Sequence, residues 1–232
     1  MSPDLAVLYA DNHLLAVAKP AGLPAVPDES GDESLLDRAR AWVEREYAKP
    51  GRAWLGVVHR IDRPVSGVVL FARTSKAAAR LSEAFRGRAV QKRYLAVTGR
   101  PPRGGERRGR VEQWLVKDRA RRRARPGREG QAGARLAVTE WRLLAHRGDR
   151  WLLELCPETG RPHQLRAALA SLGAPILGDL KYGAPAPLPD GSIALHAAEL
   201  VVPHPTRGEP VAFEAPVPAA DWWALAPDRA GP

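Results

Sequence analysis

Four short stretches of this 232-residue chain carry side chains that could do chemistry. In Val58-His59-Arg60-Ile61-Asp62-Arg63-Pro64, one carboxylate stands between two arginines where a strand gives way to a turn. Neighbouring cations favour the ionised form, and a carboxylate kept ionised can serve as nucleophile or base. A turn-capping aspartate is the plainer reading of the same residues. In Gln91-Lys92-Arg93-Tyr94-Leu95, strand alternation puts Lys92 and Tyr94 on one face and Arg93 and Leu95 on the other. Tyr94 then reads either as a half-buried strand tyrosine or as a ring on which a base stacks, with a hydroxyl at its edge. In Thr159-Gly160-Arg161-Pro162-His163-Gln164-Leu165-Arg166, helical spacing puts His163 and Arg166 on one face. Taken singly they are a core histidine and a surface charge. Leu177-Gly178-Asp179-Leu180-Lys181-Tyr182-Gly183 is a glycine-bracketed turn that alone means little.

The charge points to a partner. Lys and Arg number 36 against 26 Asp and Glu, a net +10, with a pI near 10.4. A protein this basic suits a polyanion, and nucleic acid is the first candidate. Residues 100–128 hold twelve Arg/Lys and three acids (Glu106, Glu112, Asp118), so 12 − 3 = +9 lies in one segment. The segment reads as a phosphate-contacting hairpin or arm, with its VEQWLV core a short strand between two basic loops. Arg119, Arg121, Arg122, Arg123 and Arg125 are the candidate phosphate contacts, because a guanidinium fork suits phosphate oxygens. A solvated loop is the competing reading. The single cysteine, Cys156, excludes an internal disulfide framework and a Cys-rich zinc site. The six histidines show no metal spacing, and no P-loop or glycine-rich dinucleotide loop occurs, so neither metal nor cofactor is expected. No apolar run approaches the roughly 18 residues of a membrane span. The N-terminus lacks the pattern of a secretory signal, so a cytoplasmic protein is expected.

Several elements must position these groups. Residues 5–18 read as a β-hairpin turning at Asp11-Asn12-His13, and Lys19-Pro20-Ala21-Gly22 then stops regular structure. Leu35, Leu36, Ala39, Trp42, Val43 and Tyr47 fall at helical spacing in 33–47. GVVHRID and SGVVLFART read as strands, 75–88 as a helix capped by Thr74 or Ser75, and VQKRYLAVTG as a strand. ARLAVTEWRLLA and RWLLELCPE form a hairpin about HRGD. RPHQLRAALASLG reads as a helix with Pro162 in its first turn and Gly173 just past its end. The proline-rich tail is short strands and extended chain. Strands outnumber helices without regular alternation, which predicts an α+β fold with a central mixed or mostly antiparallel sheet flanked by helices and loops. A single domain over 1–232 is expected.

In combination and in this order, these blocks resemble the RluA family of RNA pseudouridine synthases. The resemblance rests on LYADNHLLAVAKPAGLP, HRIDRPVSGVVLFART, KRYLAV, GRPHQLR, ILGDLKYG and LHAAELVVPHP, and covers roughly residues 5–214. HRID and GRPHQLR are the most specific. The resemblance implies the pseudouridine-synthase catalytic fold without an N-terminal S4-type domain. It implies isomerisation of uridine in RNA: the bond from N1 to C1′ breaks, the uracil turns, and C5 joins C1′. By the same likeness Asp62 attacks the ribose or the uracil ring. Tyr94 contacts the uracil and helps remove the C5 proton, Arg166 pairs with the aspartate, and Arg60 fills the space left by a flipped nucleotide. His59, Arg63, Lys92, His163, Gln164 and Leu165 are expected around the substrate. The implied partner is ribosomal or transfer RNA; a monomer is expected, with no obligate protein partner and no membrane. Two other classes stay open at this point: an inactive RNA-binding protein of the same fold, and a hydrolase of N-glycosidic bonds.

Overall fold

The computed structural model describes residues 5–48, 51–118 and 120–226. Its elements in chain order are β1 (Val7–Ala10), β2 (Leu14–Lys19), α1 (Leu35–Glu46), β3 (Gly56–Val57), β4 (Ser66–Ala72), α2 (Ser75–Arg86), β5 (Gln91–Thr98), β6 (Arg108–Asp118), β7 (Arg123–Pro126), β8 (Arg135–Arg147), β9 (Arg150–Pro157), α3 (Gln164–Ser171), a 3-10 turn (Leu180–Tyr182), β10 (Leu195–Pro203), β11 (Pro210–Glu214) and a last 3-10 turn (Asp221–Trp223). The fold is α+β, and the chain forms two compact units, 1–91 with 197–216 and 92–196 with 217–232.

The first unit is built on the strand order β1-β2-β4-β10, with β11 on β10 and β3 on β4. The whole of β4 is buried, as its unbroken Val-Val-Leu-Phe run requires of a central strand. It pairs antiparallel with β2, Lys19 opposite Gly67 and Leu14 opposite Ala72. Gly67 has φ +121, and a Cβ there would lie 2.2 Å from the Ala197 carbonyl oxygen, so only glycine fits. Leu14, Val68, Leu70, Leu81, Leu200 and Phe213 form the core beneath α2. Ser34 and Asp37 close a reciprocal capping box that starts α1, and Thr74 caps α2 through the Ala77 amide. The turn of the first hairpin is held by Asp11, whose Oδ1 accepts the His13 and Leu14 amides at 2.7 Å. Its Oδ2 meets His204 Nε2 at 2.8 Å and accepts from the Tyr9 hydroxyl at 2.9 Å.

The second unit is antiparallel in the order β5-β9-β8-β6-β7, which leaves β7 at an edge. Here two expectations are corrected. The basic segment is a β-hairpin, but its first strand is not short: β6 runs eleven residues, well beyond VEQWLV, and pairs Lys117 with Ala124 of β7. Exposed Arg108, Arg110 and Glu112 alternate with partly covered Gly109, Val111 and Gln113, so the charges sit on the outer face of a strand. The second correction concerns α3, which begins only at Gln164, with His163 before it at φ 54 in the left-handed region. Pro162 therefore lies outside the helix. The Gln164 side chain explains the late start, because it caps the preceding turn by accepting from the Arg161 amide at 3.0 Å. Gly173, at φ +72, follows the helix end as expected.

Candidate active site

Asp62 sits in the first unit, in the segment between β3 and β4. It opens a turn in which the Val65 amide donates to the Asp62 carbonyl at 3.0 Å. The turn is anchored from below by Lys19, whose side chain is 1% exposed. Lys19 Nζ donates to the carbonyls of Pro20 (2.8 Å), Leu23 (2.7 Å) and Arg63 (3.0 Å). The Gly22 amide donates to the same Arg63 carbonyl at 2.8 Å. Burial pushes the Lys19 ammonium down to about 7, while the Asp62 carboxylate works to raise it. The cation is thus close enough to feel the carboxylate, and the attraction is reciprocal. Lys19 was read from sequence only as the start of a structure-breaking segment; a lysine ending the apolar run LLAVA was the signal for a buried amine.

The residues around Asp62 divide by what they hold. Arg63, expected at the substrate, fastens the 22–32 loop. Its Nε donates to the Gly22 carbonyl at 2.9 Å, Nη1 to Ser30 Oγ at 3.2 Å and Nη2 to Asp32 at 2.5 Å. His59 continues the strand where the β3 ladder ends: Nε2 accepts the Leu70 amide at 2.8 Å, and the ring stacks on Phe85 at 4.9 Å. That bond requires an unprotonated Nε2. Arg60, between them, is exposed. So of the two arginines flanking Ile61-Asp62, Arg63 binds the loop and Arg60 faces solvent.

The second unit carries the remaining groups. Tyr94 lies on β5 opposite Leu155 and is partly buried. Lys92, two residues earlier on the same face, donates to the Thr159 carbonyl at 3.0 Å. Burial, with Arg161 nearby, pushes its ammonium down to about 8. Thr159 begins the GRPHQLR segment, so Lys92 ties that segment to the tyrosine strand. Gln164 and Leu165, expected to touch substrate, are both buried. The Gln164 amide donates to the Val138 carbonyl (2.8 Å) and Thr139 (3.0 Å), and its oxygen accepts from Thr159 at 2.6 Å. Its role is to set the turn before α3.

Arg166 is 5% exposed and forks onto Asp179, itself 1% exposed, with Nε to Oδ2 and Nη2 to Oδ1 both at 2.7 Å. A bidentate pair of this kind fixes the plane of the guanidinium. The Tyr182 ring lies 5.0 Å from Arg166 Cζ and 5.8 Å from the His163 ring. Asp179 and Tyr182 come from the turn that the sequence left without meaning; only contacts thirteen and sixteen residues away in the chain reveal them.

Of the candidate phosphate contacts, Arg119 lies outside the described residues. Arg121 and Arg122 are exposed in the turn between β6 and β7, and Arg125 is exposed on β7. Arg121 caps back onto Asp118 through its own amide at 3.0 Å. Arg123 is partly buried and gives Nη1 to the Lys181 carbonyl at 3.2 Å, so it is engaged in holding the hairpin. Among the described residues no group of three His, Cys, Asp or Glu is placed to hold a metal ion. Among the described residues no helix is long and apolar enough to cross a membrane.

An α+β fold here carries a carboxylate at a turn, a strand tyrosine and a buried arginine, and the comparison with known proteins gives the class to which it belongs. The chain belongs to the RNA pseudouridylate synthase family, whose sequence model matches residues 13–171 and so takes in Asp62, Tyr94 and Arg166. The ribosomal large subunit pseudouridine synthase D of Xanthomonas campestris pv. campestris is 38% identical over 229 residues, 92% of this chain and 66% of that protein. This chain thus spans just under two thirds of that relative. The dual-specificity RNA pseudouridine synthase RluA of Escherichia coli K12 is 35% identical over 222 residues, 92% of this chain and 94% of that one. Among solved structures, human RNA pseudouridylate synthase domain containing 4 superposes with a TM-score of 0.76 at 28% identity, covering 92% of this chain and 89% of that one.

Proposed function

We propose that this chain converts uridine to pseudouridine in ribosomal or transfer RNA, acting in the cytoplasm as one catalytic domain and as a monomer. The reaction is an isomerisation: the N1–C1′ bond breaks, C5 bonds to C1′, a proton leaves C5 and another reaches N1. Asp62 is the nucleophile, toward the ribose or the ring. Tyr94 offers its ring to the uracil and its hydroxyl to the departing C5 proton. Arg166 is the cation for the aspartate, and Arg60 fills the stack when the nucleotide flips, a step that costs a few kcal/mol. Arg121, Arg122 and Arg125 meet phosphates.

The observation that carries this reading is the Lys19–Arg63 clamp, which fixes the backbone beside Asp62 and sets a buried cation near its carboxylate. A turn-capping aspartate alone would need neither. The names of the relatives support both RNA classes, one being a ribosomal large-subunit enzyme and another dual-specific. RNA labelled with tritium at uridine C5 tests the chemistry. Tritium release with no free uracil is expected. Free uracil would indicate a glycosidic hydrolase, and no release at all would indicate an RNA-binding protein; either overturns the proposal.

A further inference from the structure

Tyr182 makes three kinds of contact with one side chain. Its hydroxyl accepts from the Ala124 amide at 2.9 Å and donates to the Ala124 carbonyl at 3.0 Å. Ala124 is the second residue of β7, at the sheet edge. Both of its backbone groups point the same way, as a residue's do in an antiparallel ladder, and Tyr182 occupies the place a further strand would take. The ring meanwhile packs among Leu115, Ala124, Ala137 and Ala167, the small core shared by β6, β7, β8 and α3. Its face lies against the guanidinium of Arg166. The turn that carries it also supplies Asp179, and the Tyr182 amide donates to the Asp179 carbonyl at 3.0 Å. Both groups that orient Arg166 therefore belong to one turn, and that turn is bolted to the basic hairpin. Arg123 adds a second bolt through the Lys181 carbonyl.

We propose that Tyr182 is a positioning residue for the reaction: it sets the Arg166–Asp179 pair against the backbone of the hairpin that grips RNA. The inference rests on the reading above, in which Arg166 serves the chemistry and the hairpin meets phosphates. In this arrangement the hairpin has two separable duties. Its arginines hold RNA, and its backbone at Ala124 locates Arg166. A displacement of that backbone reaches the guanidinium through a single ring. Small misplacements of a catalytic group are costly in rate even when binding is intact.

Tyr182→Phe tests this, because the ring and its packing stay while both hydrogen bonds to Ala124 go. Single-turnover rates at saturating RNA, RNA dissociation constants and melting temperatures are measured together, well below every melting point. The expected result is a rate reduced roughly tenfold with affinity within about twofold of wild type. Tyr182→Leu, which also removes the ring from Arg166, should fall further. A Tyr182→Phe rate within about twofold of wild type would overturn the proposal, and so would a lowered melting temperature with an unchanged rate. Asp62→Asn in the same assay separates the two layers. If it is inactive while Tyr182→Phe turns over normally, only the positioning role fails. If Asp62→Asn is itself active, the underlying reading has failed.

Discussion

Lys19 Nζ donates to the carbonyl of Arg63, the residue immediately after Asp62, at 3.0 Å. A buried ammonium is costly, and this one is tolerated because three carbonyls and a nearby carboxylate receive it. Lys19→Met keeps the stem but strands those carbonyls. It should destabilise the protein by about 2–3 kcal/mol, read as a lower midpoint in chemical denaturation. The sign with pH is also fixed. The folded amine sits at about 7 against 10.5 for a free lysine, so between those values the unfolded chain holds more protons. Wild-type stability gains from this group as pH rises through that window, and the Met variant should lack that gain. An unchanged midpoint at pH 7 would show that the clamp is dispensable.

For Asp62, both Asp62→Ala and Asp62→Asn should abolish product and leave folding and RNA binding nearly intact. Activity of the Asn variant within about tenfold of wild type would remove the aspartate from its role.

For Tyr94, the Phe variant keeps the ring and loses the hydroxyl. Turnover should fall by roughly two to four powers of ten, as general acid–base groups do, with little change in RNA affinity. Unaltered turnover would leave stacking as its contribution.

The hairpin arginines give a salt-dependence test. Arg121, Arg122 and Arg125 are the exposed three, whereas Arg123 is committed to Lys181. Each lost phosphate contact lowers the salt slope of log K by about 0.7–0.9, so changing all three to Gln should flatten it by roughly two. Turnover at saturating RNA should persist, because phosphate contacts position without reading sequence. Parallel salt titrations for variant and wild type would return the hairpin to an ordinary solvated surface.

Asp11 predicts the acid limit of the fold. Burial works to raise its carboxyl, but hydrogen bonds from His204, the His13 and Leu14 amides and Tyr9 outweigh it and hold it at about 2, against 3.8 unfolded. This contribution is present above pH 3.8 and is lost as pH falls toward 2. Asp11→Asn should lose this contribution at neutral pH and show a shallower acid transition. A variant with an unchanged acid profile would assign the acid sensitivity elsewhere.

What could be read without coordinates was local. The first hairpin, α1 and α2 declare themselves through turn chemistry, capping residues and apolar spacing, and β4 through its continuous apolar run. Where tertiary contacts decide, local rules mislead. Pro162 reads as a helix start, but Gln164 spends its side chain on Val138, Thr139 and the Arg161 amide, which forces His163 into a left-handed conformation before α3. Of the 108–126 strands only the VEQWLV stretch is legible as one, because elsewhere charged outer faces mask the two-residue alternation. Asp62, Tyr94 and Arg166 stand out by residue type and context. Lys19, Asp179 and Tyr182 do not, because their meaning lies in partners far along the chain.

The edge position of β7 has a consequence for the protein in concentrated solution. A sheet edge invites a neighbouring molecule to add its own strand, and natural edges resist this with charge, proline or a blocking group. β7 has all three: exposed Arg125 on it, Pro126 at its end, and the Tyr182 hydroxyl over the outward-facing backbone groups of Ala124. Arg125, one of the proposed phosphate contacts, therefore also keeps copies of the chain apart. On the proposed RNA contacts, removing the hairpin arginines should lower colloidal stability and RNA affinity together along a series of variants.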